Sequence, residues 1–201
     1  LLKGRPGQLD FSGQHGKTTN PVDGSDINLT IDANIQTRAE EILNGLIKDY
    51  DAVGGTVIVQ EPNTGRILAM GSYPNFNPNN YADYSIGDFL NPAVQAVYEP
   101  GSVVKVLTMA AGIDSGRLAP NDKYVDTGSV TFNGRTIRNF EPKPYGEVDM
   151  ITVLAKSINT GAVYAQRKVG NDAFYDYLVK FGLKDPTGVD LPGEVGGSLI
   201  N

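Results

Sequence analysis

The sequence lacks cysteine altogether and has one histidine, His15, among its 201 residues. Without cysteine there is no thiol nucleophile, disulfide or thiolate metal site, and this absence suits an oxidising extracytoplasmic location. One histidine cannot form a clustered histidine metal site. A Ser-His-Asp arrangement would require His15, which lies in a polar stretch expected to be a loop, to reach an active site. Covalent catalysis in this chain is therefore expected to rely on another kind of base.

The sequence also lacks a surplus of positive charge and any long apolar run. Its formal net charge is -6 with no basic stripe to offset it, so nucleic acid is not an expected partner. Its apolar runs end well short of the ~20 residues that a membrane helix needs. Hydrophobic residues make up 40% and charged residues 20%, which is a globular composition. Because the chain starts with Leu1, we expect an excised or processed segment, with any membrane anchor outside it.

Hydrophobic periodicity predicts helices around a small antiparallel sheet. Asp32 is a suitable N-cap for a helix with apolar residues at helical spacing, namely Ile35, Ala39, Ile42, Leu43 and Leu46. Two β-rich runs, 56–59 and 66–70, flank a turn and predict a hairpin, and an Asn- and Pro-rich surface loop follows. Residues 1–28 are expected to form an extended linker or the end of a preceding domain. Further strands are predicted around Asn133-Gly134, and further helices over 102–116, 148–157, 160–170 and 171–182.

A lysine interrupts the most apolar of these predicted helices. Ser102 and Lys105 are three residues apart and therefore share one face, while the other faces carry Val, Leu, Met and Ala. In one interpretation Ser102 is only an N-cap and Lys105 reaches water or a carboxylate. In the other, burial drives the lysine toward the neutral amine, which can take a proton from the Ser102 hydroxyl and activate it as a nucleophile.

A second polar turn, Ser157-Ile158-Asn159, breaks the helical pattern later in the chain. Serine and asparagine are ordinary turn and cap residues, so a purely structural role is one interpretation. A hydroxyl and a carboxamide two residues apart on a tight turn can also face one cleft. There Ser157 could relay a proton and Asn159 could orient a peptide carbonyl.

Together with the surrounding sequence, these motifs resemble a known family. Ser-x-x-Lys and Ser-x-Asn are two of the three motifs shared by penicillin-binding proteins and class A β-lactamases. The segments "LTIDANIQTRAEEIL", "GGTVIVQEPNTGRILAMGSYPNFNPNNY" and "YEPGSVVKVLTMAAGID" occur in the order seen in the transpeptidase domain of class B penicillin-binding proteins. The similarity runs from about Asp26 to Glu194. The opening "LLKGRPGQLDFSGQHG" is similar to the tail of the family's pedestal domain, so the expected domains are 1–25 and 26–201.

The resemblance implies an α+β fold of the penicillin-binding and serine β-lactamase type, with an antiparallel sheet flanked by helices. It also implies acyl transfer on the D-alanyl-D-alanine stems of peptidoglycan. Ser102 would be the nucleophile, Lys105 the base, Ser157 a proton relay and Asn159 the group that holds the substrate amide. No metal or organic cofactor is implied. β-Lactams would be covalent inhibitors, and a glycosyltransferase and the division or elongation machinery would be partners at the extracytoplasmic, periplasmic face of the cell membrane.

The third family motif, Lys-Thr-Gly, is absent after the Ser-x-Asn turn. The "GKTT" at residues 16–19 precedes the nucleophile and does not replace it. Artificial truncation, proteolysis or disorder would each account for missing C-terminal strands, and we expect the 201-residue chain to be inactive alone. Two other functions remain open at this point, a serine β-lactamase and a non-catalytic β-lactam sensor or binding module. The stretch "YEPGS" favours a septal or sporulation role over an elongation role.

Overall fold

The structure, a computed structural model, describes Arg5 and residues 7–10, 17–141 and 143–199. His15 and the start of "GKTT" lie outside these residues. The described chain forms two compact units, one ending at Ala93 and the other beginning at Val94. The expected domain boundary between residues 25 and 26 remains a prediction.

Within the described residues, the strands pair two by two and antiparallel. The ladders join β1 (Gln8–Asp10) to β2 (Lys17–Thr19), β3 (Gly55–Gln60) to β4 (Ile67–Tyr73), β5 (Lys123–Asp126) to β8 (Gly146–Asp149), and β6 (Ser129–Phe132) to β7 (Arg135–Arg138). The predicted hairpin and the strands around Asn133-Gly134 are therefore confirmed. The prediction of one small sheet was wrong in detail, because the described strands form four separate two-stranded ladders. The β1–β2 ladder also gives the expected N-terminal linker some regular structure.

Six α-helices complete the described part of the chain. They are α1 (Ala33–Asp49), α2 (Pro92–Gln95), α3 (Val104–Asp114), α4 (Met150–Ala155), α5 (Asn159–Val169) and α6 (Asn171–Lys180). The Asn- and Pro-rich stretch after β4 contains only short 3-10 turns, at Pro78–Asp83 and Ile86–Phe89. Among the described residues, none of these helices is long and apolar enough to cross a bilayer.

In the first unit, α1 packs on the β3–β4 hairpin. Asp32 caps the helix as predicted, because its side chain accepts hydrogen bonds from the N–H groups of Asn34 and Ile35. The Gln36 amide binds the β4 backbone twice, donating to Met70 O and accepting from Met70 N, each at 2.9 Å. These contacts fix the helix against the hairpin.

The predicted core face of α1 was partly wrong. Ala39, Leu43 and Ile47 are its buried residues, whereas Ile42 and Leu46 remain 49% and 47% exposed. Residues four apart lie almost directly above one another on a helix, so the buried positions form one narrow row. The two exposed residues lie beside that row.

In the second unit, the core forms where α3, α4 and α5 meet. Its buried apolar members are Met109, Leu118, Met150, Val153, Ile158 and Ala165. Helices α4 and α5 are joined by a short turn and approach closely at Gly161, whose position leaves no space for a methyl group. An added Cβ there would lie 2.5 Å from Val153 Cγ2 and 2.9 Å from the Tyr124 hydroxyl. A glycine is therefore required for this contact.

We predict that Gly161→Ala destabilises the protein by about 1–3 kcal/mol, because the new methyl group overpacks the α4–α5 contact. Gly45→Ala is the matched control, since Gly45 also lies within a helix and an added Cβ there meets nothing within 4 Å. The control should be neutral or stabilising by up to ~1 kcal/mol, because alanine favours helix more than glycine does. Thermal and urea unfolding measure both effects. Equal stability of Gly161→Ala and the wild type would contradict the close packing.

Candidate active site

Ser102 lies in a tight turn at the entrance to α3. Gly101 has a φ of +65°, a left-handed conformation that glycine adopts easily, and it opens a 3-10 turn over Gly101–Val103. The α-helix proper runs from Val104 to Asp114, so the predicted helix 102–116 was too long at both ends. Val103 precedes the first α-helical residue and makes no side-chain capping bond, so Ser102 does not occupy the N-cap position. The Ser102 hydroxyl faces Lys105 instead.

Lys105 brings the four predicted site residues together. Its amino nitrogen lies 3.2 Å from Ser102 Oγ, 2.9 Å from Ser157 Oγ and 2.5 Å from Asn159 Oδ1. It also lies 2.7 Å from the Ser157 carbonyl oxygen. All four neighbours are oxygen atoms, and one of them belongs to the residue predicted as nucleophile.

The lysine is buried without an ion pair in the described part of the chain. It is 8% exposed, and the three salt bridges found among the described residues involve other lysine and arginine side chains. Within the described residues, Lys105 therefore neither extends into solvent nor pairs with a carboxylate, contrary to the first interpretation of the sequence. Burial lowers the pKa of Lys105 below its ordinary value of 10.5, because removal from water penalises the charged form.

The turn between α4 and α5 presents Ser157 and Asn159 to this amine. Ser157 has a φ of +54°, a left-handed conformation that is uncommon for residues other than glycine, and Ile158 is 1% exposed and anchors the turn in the core. Asn159 is the first residue of α5, and its Nδ2 donates to the Arg138 carbonyl oxygen at 2.7 Å. Both ends of the Asn159 amide are thus engaged, one by Lys105 and one by the end of β7.

A cavity of ≈ 380 Å³ opens on the Ser157 side of this turn. Its lining includes the exposed Phe140 ring and two lysines beside the turn, and is formed by Asn139, Phe140, Glu141, Lys143, Tyr145, Ala155, Lys156, Ser157 and Ile158. Lys143 forms an ion pair with Glu141, which leaves the pKa of Glu141 below its ordinary value. The cavity therefore offers space and polar groups next to a predicted site residue.

Sequence reasoning missed a buried polar cluster behind the turn. Asp126 is 1% exposed, and its carboxylate contacts Thr160 Oγ1 at 2.5 Å and Asn139 Nδ2 at 2.9 Å. It also accepts hydrogen bonds from the N–H groups of Gly128 and Tyr145. Burial alone would raise the pKa of Asp126, but the hydrogen bonds from these four donors outweigh it and lower the pKa. In the sequence, an aspartate two residues before glycine is typical of an ordinary turn and gives no sign of this cluster.

Comparison with known proteins identifies the class of domain to which this site belongs. The penicillin-binding protein transpeptidase domain family matches residues 55–201. The chain is 32% identical to stage V sporulation protein D of Bacillus subtilis, covering 99% of this chain and 32% of that protein. It is 35% identical to penicillin-binding protein PbpB of Mycolicibacterium smegmatis, covering 93% of this chain and 29% of that protein.

A solved structure agrees with the sequence relatives. The crystal structure of Pseudomonas aeruginosa PBP2 is 29% identical and has a TM-score of 0.76, covering 91% of this chain and 43% of that one. The chain belongs to the transpeptidase domain family of class B penicillin-binding proteins, which confirms the resemblance and the fold class. It spans about a third of the length of the two curated relatives.

We predict that the stability difference between the wild type and Lys105→Met depends on pH in one direction. The Lys105 pKa is below 10.5 in the folded state, so between the folded and unfolded pKa values the unfolded chain binds more protons. Stability of the wild type should therefore rise, relative to Lys105→Met, as pH increases through that window. Urea unfolding of both proteins between pH 7 and 10.5 measures the difference. If the wild type instead lost stability relative to Lys105→Met as the pH increased, the lowered pKa of Lys105 would be contradicted.

Proposed function

We propose that this chain carries the acylation machinery of a serine D,D-transpeptidase that cross-links peptidoglycan stem peptides. The observation that carries the proposal is the contact of one buried lysine, which forms no ion pair with any described residue, with Ser102 Oγ, Ser157 Oγ and Asn159 Oδ1. Burial lowers the pKa of Lys105, so its amine loses its proton more readily than that of an ordinary lysine and can act as a base. The family match supports the reaction class, and the contacts of Lys105 support the proposed roles of Ser102, Ser157 and Asn159.

In the proposed acylation, the neutral Lys105 amine removes the proton from the Ser102 hydroxyl, 3.2 Å away. The bond from Ser102 Oγ to the carbonyl carbon of the penultimate D-alanine forms, and the C–N bond to the terminal D-alanine breaks. The proton held by Lys105 passes through the Ser157 hydroxyl to the departing amine, since Ser157 Oγ lies 2.9 Å from the lysine. Lys105 is then neutral again.

The acyl-enzyme is resolved by the amine of a neighbouring stem peptide. That amine forms the new amide bond, the ester bond to Ser102 breaks, and the amine proton returns to Ser102 Oγ through Lys105. In this scheme Asn159 has two roles. Its side-chain oxygen accepts a hydrogen bond from Lys105, and its side-chain NH₂ group orients the substrate. For the second role, the substrate must compete with Arg138 O for the hydrogen bond from Asn159 Nδ2.

The proposal extends to the setting of the native protein. β-Lactams would acylate Ser102 in place of the peptide, and a glycosyltransferase with the division or elongation machinery would supply glycan strands. The protein would be anchored in the cell membrane and work on its extracytoplasmic, periplasmic side. A β-lactamase would hydrolyse its acyl-enzyme, and a sensor would keep it. We expect neither behaviour.

Labelling with a reporter penicillin tests the proposed nucleophile. In the native full-length protein, label should map to Ser102, and Ser102→Ala should abolish it. Ser115→Ala is the matched control, because Ser115 lies at the other end of α3 and its hydroxyl donates to Gly112 O. The control should label at the wild-type rate. Label on Ser157, or undiminished labelling of Ser102→Ala, would overturn the assignment.

Turnover of a D-alanyl-D-alanine peptide distinguishes the three functions. A transpeptidase should exchange the terminal D-alanine for an added amine, whereas a β-lactamase should release hydrolysed penicillin and a sensor should stay acylated. Exchange that depends on Ser102 is the expected result. Rapid hydrolysis of penicillin without exchange would contradict the proposal.

A further inference from the structure

We infer that Asp126 is a positioning residue for the acyl transfer, acting through Thr160 to hold the start of α5 in the orientation that brings Asn159 and Ser157 to Lys105. This inference rests on the proposed function. It concerns residues that neither touch Lys105 nor belong to the Ser-x-x-Lys and Ser-x-Asn motifs.

Asp126 accepts hydrogen bonds from its own turn and from three other segments of the chain. The Thr160 hydroxyl lies at the start of α5, and the Asn139 amide lies just after β7. The other two donors are the N–H of Gly128, at 3.1 Å, and the N–H of Tyr145, at 2.8 Å. Because Asp126 ends β5, one buried carboxylate joins that strand to the start of α5, to the residue after β7 and to the residue before β8.

Two adjacent hydrogen bonds link this cluster to the site. In the first, Asn159 Nδ2 donates to Arg138 O. In the second, formed by the residues that follow these two in the chain, Thr160 N donates to Asn139 Oδ1 at 3.2 Å. Thr160 follows Asn159 directly, so the backbone of Asn159 cannot move away from Lys105 without disturbing Thr160. The Asp126 carboxylate holds both Thr160 and Asn139 from behind.

Ionisation of Asp126 suits this role. A carboxylate only accepts hydrogen bonds, so it can satisfy all four donors, whereas an asparagine in its place would turn an N–H₂ group toward some of them. The lowered pKa of Asp126 follows from the same four donors and keeps the group charged at neutral pH. Tyr124 closes the cluster, with its hydroxyl 3.1 Å from Thr160 Oγ1 and its pKa raised to about 12, chiefly by burial.

The experiment compares three variants of the native full-length protein in stopped-flow acylation by a chromogenic cephalosporin. Thr160→Val keeps the shape of the side chain but removes the hydroxyl, Thr160→Ser restores the hydroxyl, and Asp126→Asn removes the charge. We expect the limiting acylation rate constant to fall about tenfold or more in Thr160→Val and Asp126→Asn. The dissociation constant of the initial complex should change much less, and Thr160→Ser should recover most of the lost rate.

Thr131→Val is the matched control, because it makes the same substitution at a hydroxyl that contacts Thr136 Oγ1 on the exposed β6–β7 ladder. Its acylation rate should equal that of the wild type. Rates are measured below each variant's melting temperature and divided by the folded fraction, so a purely structural role would leave the rate constant unchanged. If Asp126→Asn does not fold, the comparison of the two Thr160 variants decides.

The outcomes separate this inference from the proposed function. Acylation of Ser102→Ala would overturn the proposed function. With Ser102-dependent acylation established, wild-type rate constants in folded Thr160→Val and Asp126→Asn would overturn the positioning role. Equal losses in Thr160→Val and Thr160→Ser would also overturn it, because the hydroxyl would then not be the group that matters.

Discussion

The second unit of this chain is organised around the Lys105 amine, which is buried and has no carboxylate partner among the residues that the structure describes. A charged ammonium in such a place costs several kcal/mol unless it is paired, so the surroundings must supply other compensation or favour the neutral amine. Here they supply four oxygen atoms from two segments that are far apart in the sequence. The Ser157 carbonyl and the Asn159 amide oxygen can only accept, so they orient the hydrogens of the amine. The hydroxyls of Ser102 and Ser157 can also donate, so a neutral Lys105 amine can accept a hydrogen bond from either of them through its lone pair.

This constraint explains several local features of the fold. The turn after α4 must bring a carbonyl, a hydroxyl and an amide to one point, and the left-handed conformation of Ser157 with the buried Ile158 achieves this. Close approach of α4 and α5 requires Gly161. The buried Asp126 cluster then fixes the start of α5 from the opposite side. Backbone geometry, packing and buried hydrogen bonds therefore all restrain the same short segment.

Local patterns in the sequence predicted most of the helices and both hairpins, and they singled out four candidate site residues whose catalytic roles stay predictions. Asp32 as an N-cap, the hairpin of β3 and β4, and the Ser-x-x-Lys spacing depend on residues close together in the chain, so sequence reasoning could find them. Contacts that depend on tertiary packing could not be found in this way. The exposure of Ile42, the separation of the strands into ladders and the Asp126–Thr160 contact depend on long-range packing that no local pattern encodes.

Because Lys105 is buried, we expect it to lose its proton more easily than an ordinary lysine. The most direct measurement is an NMR titration of the native protein with ¹³C-labelled lysine, following each Cε resonance from pH 6 to 11. The Lys105 resonance is assigned as the one absent from Lys105→Arg. The account predicts that this resonance titrates with a pKa below the ordinary value of 10.5, whereas the surface residue Lys123, which is paired with Glu147, titrates above it. A Lys105 pKa at or above 10.5 would contradict the account, because the residue would then supply charge rather than basicity.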